Sequence, residues 1–230
     1  MPHAGRGPVP EEGLPEDLPA GERRPARMRL VAARRLAGLT VALDGVHDPH
    51  NVSAALRSAE GFGLMAAHLI APRVPPGPPP DPARRKRGGV NPAVTRGCEK
   101  WLQVHRYASP GACVRALRAA GFELWAAAPD RSAPRLEEVD FSRRVALVFG
   151  AERDGLSAEL LAACDGRYQI PMCGFSQSLN VSVAAAISLY TASTARRRAL
   201  GRDTDLSDEE IRALADGWIQ TDRPWTANEE

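Results

Sequence analysis

In this 230-residue chain, chemistry concentrates where a short apolar run, Ile170-Pro171-Met172-Cys173, breaks at Gly174, passes the polar residues Ser176 to Ser178, and enters the alanine-rich run from Leu179-Asn180-Val181 onward. Such a turn puts free backbone donors, hydroxyl and amide side chains (Ser178, Asn180) and a helix N-terminus in one place. Two earlier segments share this character, Asn51-Val52-Ser53-Ala54-Ala55-Leu56-Arg57 and Leu147-Val148-Phe149-Gly150-Ala151-Glu152. The first offers an amide and a guanidinium, the second a carboxylate just past an apolar strand. A guanidinium can grip an anion through two parallel hydrogen bonds. Taken singly, the same residues have plainer readings: Asn51 and Asn180 as helix caps, and Arg57 as a surface partner of Glu60.

The elements that must position these groups alternate in type. Leu39–Leu43, Ala66–Ile70, Leu102–Tyr107, Glu123–Ala127, Val145–Phe149 and Tyr168–Ile170 read as short strands. Helical patterns lie between several of them, at Val52–Glu60, Gly111–Ala120, Ser157–Ala163 and Leu179–Arg198. That alternation predicts an α/β fold with a mostly parallel sheet and helices on both faces. Residues 1–22, rich in Pro, Gly and acid, read as a disordered tail, and 23–38 as a basic helical extension with its helix at Arg27–Leu36. The catalytic domain is expected over 39–200. A C-terminal extension follows over 201–230, where Ser207 and Glu210 form a capping box ahead of Ile211, Leu214, Ala215, Trp218 and Ile219.

Cys98, Cys113, Cys164 and Cys173 form no C-x-x-C pair, so reduced thiols and a cytoplasmic location are expected. No apolar run approaches a membrane span, and prolines occupy the N-terminus where a signal peptide needs an apolar core. His47 and His50 flank Asp48-Pro49, which favours a turn over a metal site, and no metal is called for. Neither G-x-G-x-x-G nor a P-loop occurs, which argues against nicotinamide enzymes and P-loop NTPases. The net charge of +2 hides basic clusters at Arg23–Arg35, at Arg84-Arg85-Lys86-Arg87 and at Arg196-Arg197-Arg198. Several such clusters suit a phosphate backbone. The second follows the proline-crowded stretch 72–82, which would make it the tip of a stiff arm. The helix Val181–Tyr190 is apolar on nearly all sides, which predicts burial against a second copy of the chain.

Together and in this order, the three segments resemble the three motifs of the SpoU/TrmH family of RNA ribose 2'-O-methyltransferases, of the SPOUT class, over about Leu39 to Arg198. The resemblance implies an S-adenosylmethionine cofactor, a homodimer and a deep C-terminal trefoil knot. On it, Arg57, Asn51, Glu152, Asn180 and Ser178 are the catalytic residues, and Gly150, Ile170 and Leu179, with Ala127, give main-chain contacts to the adenosyl group. RNA contacts are expected at Arg84, Arg85, Lys86, Arg87, Arg196 and Arg197. The pattern departs at Phe175-Ser176, where two aliphatic residues are common. The short terminal extensions resemble members that methylate a guanosine in the tRNA D-loop; ribosomal RNA is the alternative substrate, and a non-catalytic RNA-binding protein the alternative class.

Overall fold

The computed structural model describes residues 18–72, 90–128, 130, 132–152 and 154–221. The chain divides into two compact units. The larger, Leu36–Asp205, carries a six-stranded sheet in the order β3-β2-β1-β5-β4-β6. Its strands are β1 (Leu39–Asp44), β2 (Ala66–Ile70), β3 (Gln103–Tyr107), β4 (Glu123–Ala127), β5 (Val145–Gly150) and β6 (Gly166–Tyr168). Every pairing is parallel, so all six C-terminal ends share one edge. β1 and β5 occupy the centre, and their near-continuous apolar sequences are what two covered faces require.

The faces follow from strict alternation. Val41, Leu43, Val145 and Leu147 pack with Val52 and Leu56 of α2 (Pro49–Gly61) and with Ala185 and Leu189 of α6 (Val181–Leu200). Ala42, Ala146 and Val148 point the other way, onto Cys113 and Leu117 of α4 (Pro110–Ala119) and Leu160 of α5 (Ala158–Ala162). Burial pushes the Cys113 thiol up to about 12, with the nearby Asp44 adding to the shift, so this cysteine is an inert part of the core. A short helix, α3 (Pro92–Thr95), packs on α2.

The smaller unit joins the chain up to Arg35 with the chain from Leu206. In it α7 (Asp208–Thr221) packs along α1 (Ala20–Ala32), and the Arg35 guanidinium lies over the Trp218 ring at 5.3 Å. The capping box forms as expected: Ser207 N donates to Glu210 Oε2 at 2.7 Å, and Glu210 N to Ser207 Oγ at 3.2 Å. α1 starts earlier than expected and runs through Pro25. The basic stretch 84–87 and most of the acidic N-terminal tail lie outside the described residues.

One expectation about RNA contacts is corrected. Arg196 is 5% exposed. Its Nε donates to Asp205 Oδ2 at 2.7 Å, and its Nη1 donates to the carbonyls of Phe141, Ser142 and Arg143. Asp205 in turn accepts from the backbone N–H groups of Ala37 and Gly38, at 2.6 and 2.8 Å. Gly38 is glycine because a Cβ there would fall within 1.9 Å of the Arg196 guanidinium. A charge so enclosed cannot meet a phosphate. Arg197 is half-buried and donates to the carbonyls of Asp203 and Phe62, both at 3.1 Å, so it too is engaged in packing.

Candidate active site

The site sits at the C-terminal edge of the sheet, where open parallel sheets place ligands. Asp48 caps α2 by accepting from His50 N, with Pro49 at the first helical position. Asn51 is therefore not the cap. It lies in the first turn, with its side chain free to reach across the edge. Its Nδ2 donates to Glu152 Oε1 at 2.6 Å, and its Oδ1 accepts from Asn180 Nδ2 at 3.1 Å. Asn180 does cap its helix: its Oδ1 accepts from Ser182 N at 2.8 Å and from Ser182 Oγ at 2.7 Å. One directional chain, Ser182 to Asn180 to Asn51 to Glu152, thus joins the three sequence motifs. The two amides keep a donor each, and Glu152 keeps its second carboxylate oxygen.

Glu152 is presented by a tight turn. Ala151 and Gly155 exchange backbone hydrogen bonds, with Gly155 at φ +62°, and the turn folds back against the end of β5. A Cβ on Gly150 would lie 2.1 Å from the Gly155 carbonyl carbon, so glycine is required there. The turn is held from beneath by Asp44, a residue the sequence reasoning missed. Asp44 closes β1, is 1% exposed, and accepts from Ser157 N through Oδ2 at 2.6 Å. Its signal was a carboxylate ending a strand that is otherwise Leu-Thr-Val-Ala-Leu.

Arg57 is on the same helix as Asn51, six residues on and about 9 Å along the axis. It is exposed, and its guanidinium makes no hydrogen bond or ion pair among the described residues, Glu60 included. Ser178 is also exposed, and Asn180 rather than Ser178 caps α6.

The residues expected to hold the cofactor fall on three adjacent strands: Ala127 ends β4, Gly150 ends β5, and Ile170 follows β6, with Leu179 next to Asn180. All four are half-buried. Residues 170–179 make no hydrogen bond among the described residues. A row of small or apolar side chains beside main-chain polar groups fits an adenosine-bearing molecule. Among the described residues no cluster of His, Cys, Asp and Glu could hold a metal. No helix among them is long and apolar enough to cross a membrane.

Comparison with known proteins gives this geometry a family. Residues 38–190 match the SpoU rRNA Methylase family. A tRNA (guanosine(18)-2'-O)-methyltransferase of Thermus thermophilus is 37% identical over 203 residues, spanning 86% of this chain and 97% of that protein. Among solved structures, the Aquifex aeolicus TrmH/SpoU tRNA modifying enzyme superposes with a TM-score of 0.73 at 31% identity, covering 88% of this chain and 98% of the other. The SpoU methyltransferase AviRb of Streptomyces viridochromogenes, solved in complex with AdoMet, superposes with a TM-score of 0.55 at 28% identity, over 71% of this chain and 58% of that one. The chain belongs to the SpoU methylase family.

Proposed function

We propose that this protein is an S-adenosylmethionine-dependent methyltransferase that modifies the ribose 2'-hydroxyl of a guanosine in tRNA, in the D-loop. The observation that carries this reading is the Glu152–Asn51–Asn180 hydrogen-bond chain, which draws three motifs distant in sequence into one site beside the expected cofactor edge. Identity of 37% to a tRNA (guanosine(18)-2'-O)-methyltransferase along nearly all of that protein's length supports the substrate.

Transfer to a hydroxyl oxygen needs alignment, a route for the proton and stabilisation of the developing negative charge. The cofactor supplies an electrophilic methyl group on a good leaving group. Ala127, Gly150, Ile170 and Leu179 would hold its adenosyl part through the main chain. Asn51 and Asn180, locked to each other, present their spare amide donors to the incoming ribose. The Arg57 guanidinium offers hydrogen-bond donors and no acceptor. Its role is therefore electrostatic: it grips the phosphate beside the target ribose and steadies the alkoxide. Glu152 orients Asn51 through one oxygen, and its second oxygen is the acceptor at this edge that takes the hydroxyl proton as the new C–O bond forms and the methyl leaves the cofactor's sulfur. Ser178 contacts the ribose from the loop before α6.

The same reading includes a deep trefoil knot over the C-terminal part of the domain, which the family resemblance supports. It also includes a homodimer. Val183, Ile187 and Tyr190 are exposed on α6 at i, i+4 and i+7, a stripe of large apolar side chains that a second copy would cover. The absence of paired cysteines supports a cytoplasmic enzyme. RNA binding draws on the basic residues of α1 and on Arg84, Arg85, Lys86 and Arg87.

Incubation with methyl-labelled S-adenosylmethionine and total RNA, followed by size fractionation and mapping of the labelled nucleotide, tests the function. Label in a tRNA guanosine supports it. Label confined to ribosomal RNA transfers the activity to that substrate, and no label with intact RNA binding leaves a binding protein.

A further inference from the structure

β3 is an outer strand of the sheet, and its side chains are mostly exposed. Its register places His105 beside His68 of β2. The rings of His68 and His105 stack with centroids 5.1 Å apart and 20° between planes, and those of His68 and Tyr107 at 5.7 Å and 19°. A hydrogen bond of 3.0 Å joins His68 Nδ1 and the Tyr107 hydroxyl. Three nearly parallel rings are thus held in one orientation. The inner one, His68, is buried, while His105 is exposed. Burial, and then the neighbouring His105, pushes His68 down to about 4, so the middle ring is uncharged at neutral pH.

The sequence around β3 is basic. Between residues 90 and 118, Glu99 is the single carboxylate, against Arg96, Lys100, Arg106, Arg115 and Arg118. Arg118 is paired with Asp165 and Arg115 lies near the Glu159 carboxylate, but Arg96, Lys100 and Arg106 are exposed. Tyr107 lies on the same C-terminal edge as the candidate active site, two strand spacings or about 10 Å from β1.

We infer that this edge is a second RNA-contact surface, on which an unpaired base of the substrate RNA stacks against His105 on one face of β3 while Arg106, which alternates to the other face, meets a phosphate where the RNA passes over the strand. Aromatic rings fixed in place lose little freedom on stacking, and every base offers a π-face, so such a platform suits a looped-out nucleotide. A charged edge strand also deters pairing with other sheets, but that purpose needs neither a fixed ring stack nor a single sign of charge. The inference rests on the methyltransferase reading. It extends that reading to RNA held away from the reacting ribose.

The test uses the full-length protein and a tRNA transcript, with binding measured by fluorescence anisotropy and methylation measured separately. His105→Ala should weaken tRNA binding about tenfold and raise KM for tRNA by a similar factor. The kcat at saturating tRNA, the cofactor affinity and the thermal midpoint should not move. His105→Phe, which keeps a flat ring and removes the titratable group, should retain affinity within about twofold. Arg106→Gln should lower the salt slope of binding by about one. Wild-type affinity and KM in His105→Ala would overturn the inference, as would a His105→Phe variant as weak as the alanine. If the wild-type protein binds tRNA but methylates no RNA, the methyltransferase reading fails, and the binding data still judge the platform independently.

Discussion

Glu152 and Asn51, 101 residues apart in sequence, are joined by a hydrogen bond of 2.6 Å from Asn51 Nδ2 to Glu152 Oε1. The contact makes the carboxylate the anchor of the amide pair. Removing it in Glu152→Ala should let Asn51 and Asn180 rotate, and a misplacement of ~1 Å costs on the order of 100-fold in rate. The expected result is a fall in kcat of that order with cofactor affinity nearly unchanged. Glu152→Gln, which keeps an acceptor for Asn51, should fall less. Steady-state kinetics with tRNA, alongside a cofactor-binding titration, give the comparison.

Arg57→Lys separates charge from shape. Lysine keeps the positive charge but not the planar fork. Turnover should drop by at least about tenfold while the protein binds cofactor normally. Near-normal turnover in this variant would remove Arg57 from the proposed mechanism.

The buried pair of Arg196 and Asp205, at 2.7 Å, predicts a stability phenotype without an RNA phenotype. Asp205→Ala leaves an uncompensated buried guanidinium, which costs about 3–5 kcal/mol. A drop of roughly 10 °C in thermal midpoint is expected for a chain of this size. Temperatures at which the variant is still folded should show an unchanged salt dependence of RNA binding.

Arg84, Arg85, Lys86 and Arg87 predict the reverse. Changing all four to Ala should flatten the salt dependence of RNA binding by roughly one unit for each phosphate they neutralise in the wild type. The thermal midpoint and cofactor affinity should stay where they are. An unaltered salt slope would move the RNA footprint to the other basic surfaces.

His68 predicts a pH dependence of stability. The fold keeps it neutral down to about 4, whereas in the unfolded chain it gains a proton near ~6.5. The unfolded state therefore binds more protons between those values, and stability falls as pH drops through that window. Above ~6.5 the group contributes no slope. Thermal midpoints from pH 7 to pH 4 should decline more steeply in the wild type than in His68→Phe, which retains the ring but cannot titrate. Equal slopes would show that other groups cause the decline.

Much of this architecture was legible because strand and helix periods differ. β2 and β4 match their sequence-based bounds, and the other strands shift by one or two residues. The larger errors have physical causes. β6 begins at Gly166, which reads as a breaker, yet glycine is needed there because a Cβ would strike the Trp125 ring at 2.6 Å. The helix expected over Arg27–Leu36 instead runs Ala20–Ala32, extending back through Pro25 and stopping short of Leu36, whose backbone N–H bonds to the Gly63 carbonyl. In the site, the motif residues were visible as types and spacings, but Asn51's freedom from capping depended on Asp48 taking that task. Asp44 looked like the polar end of a strand. Arg196 looked like part of a solvated basic run, because nothing in the run itself reveals that Asp205 folds back onto it.

The position of β1, bonded to β2 on one side and to β5 on the other, has a consequence for how the protein is made. Translation proceeds at about 5–20 residues per second, so β1, β2 and β3 leave the ribosome well before Val145. Until β5 arrives, one side of β1 is a bare row of N–H and C=O groups, open to pairing with another nascent chain. The segment that closes this gap is also the one that delivers Gly150 and Glu152. Closure of the sheet's centre and delivery of Glu152 to the candidate site are therefore a single event in the life of the polypeptide, and a ribosome stalled before it holds a chain that is both sticky and inert.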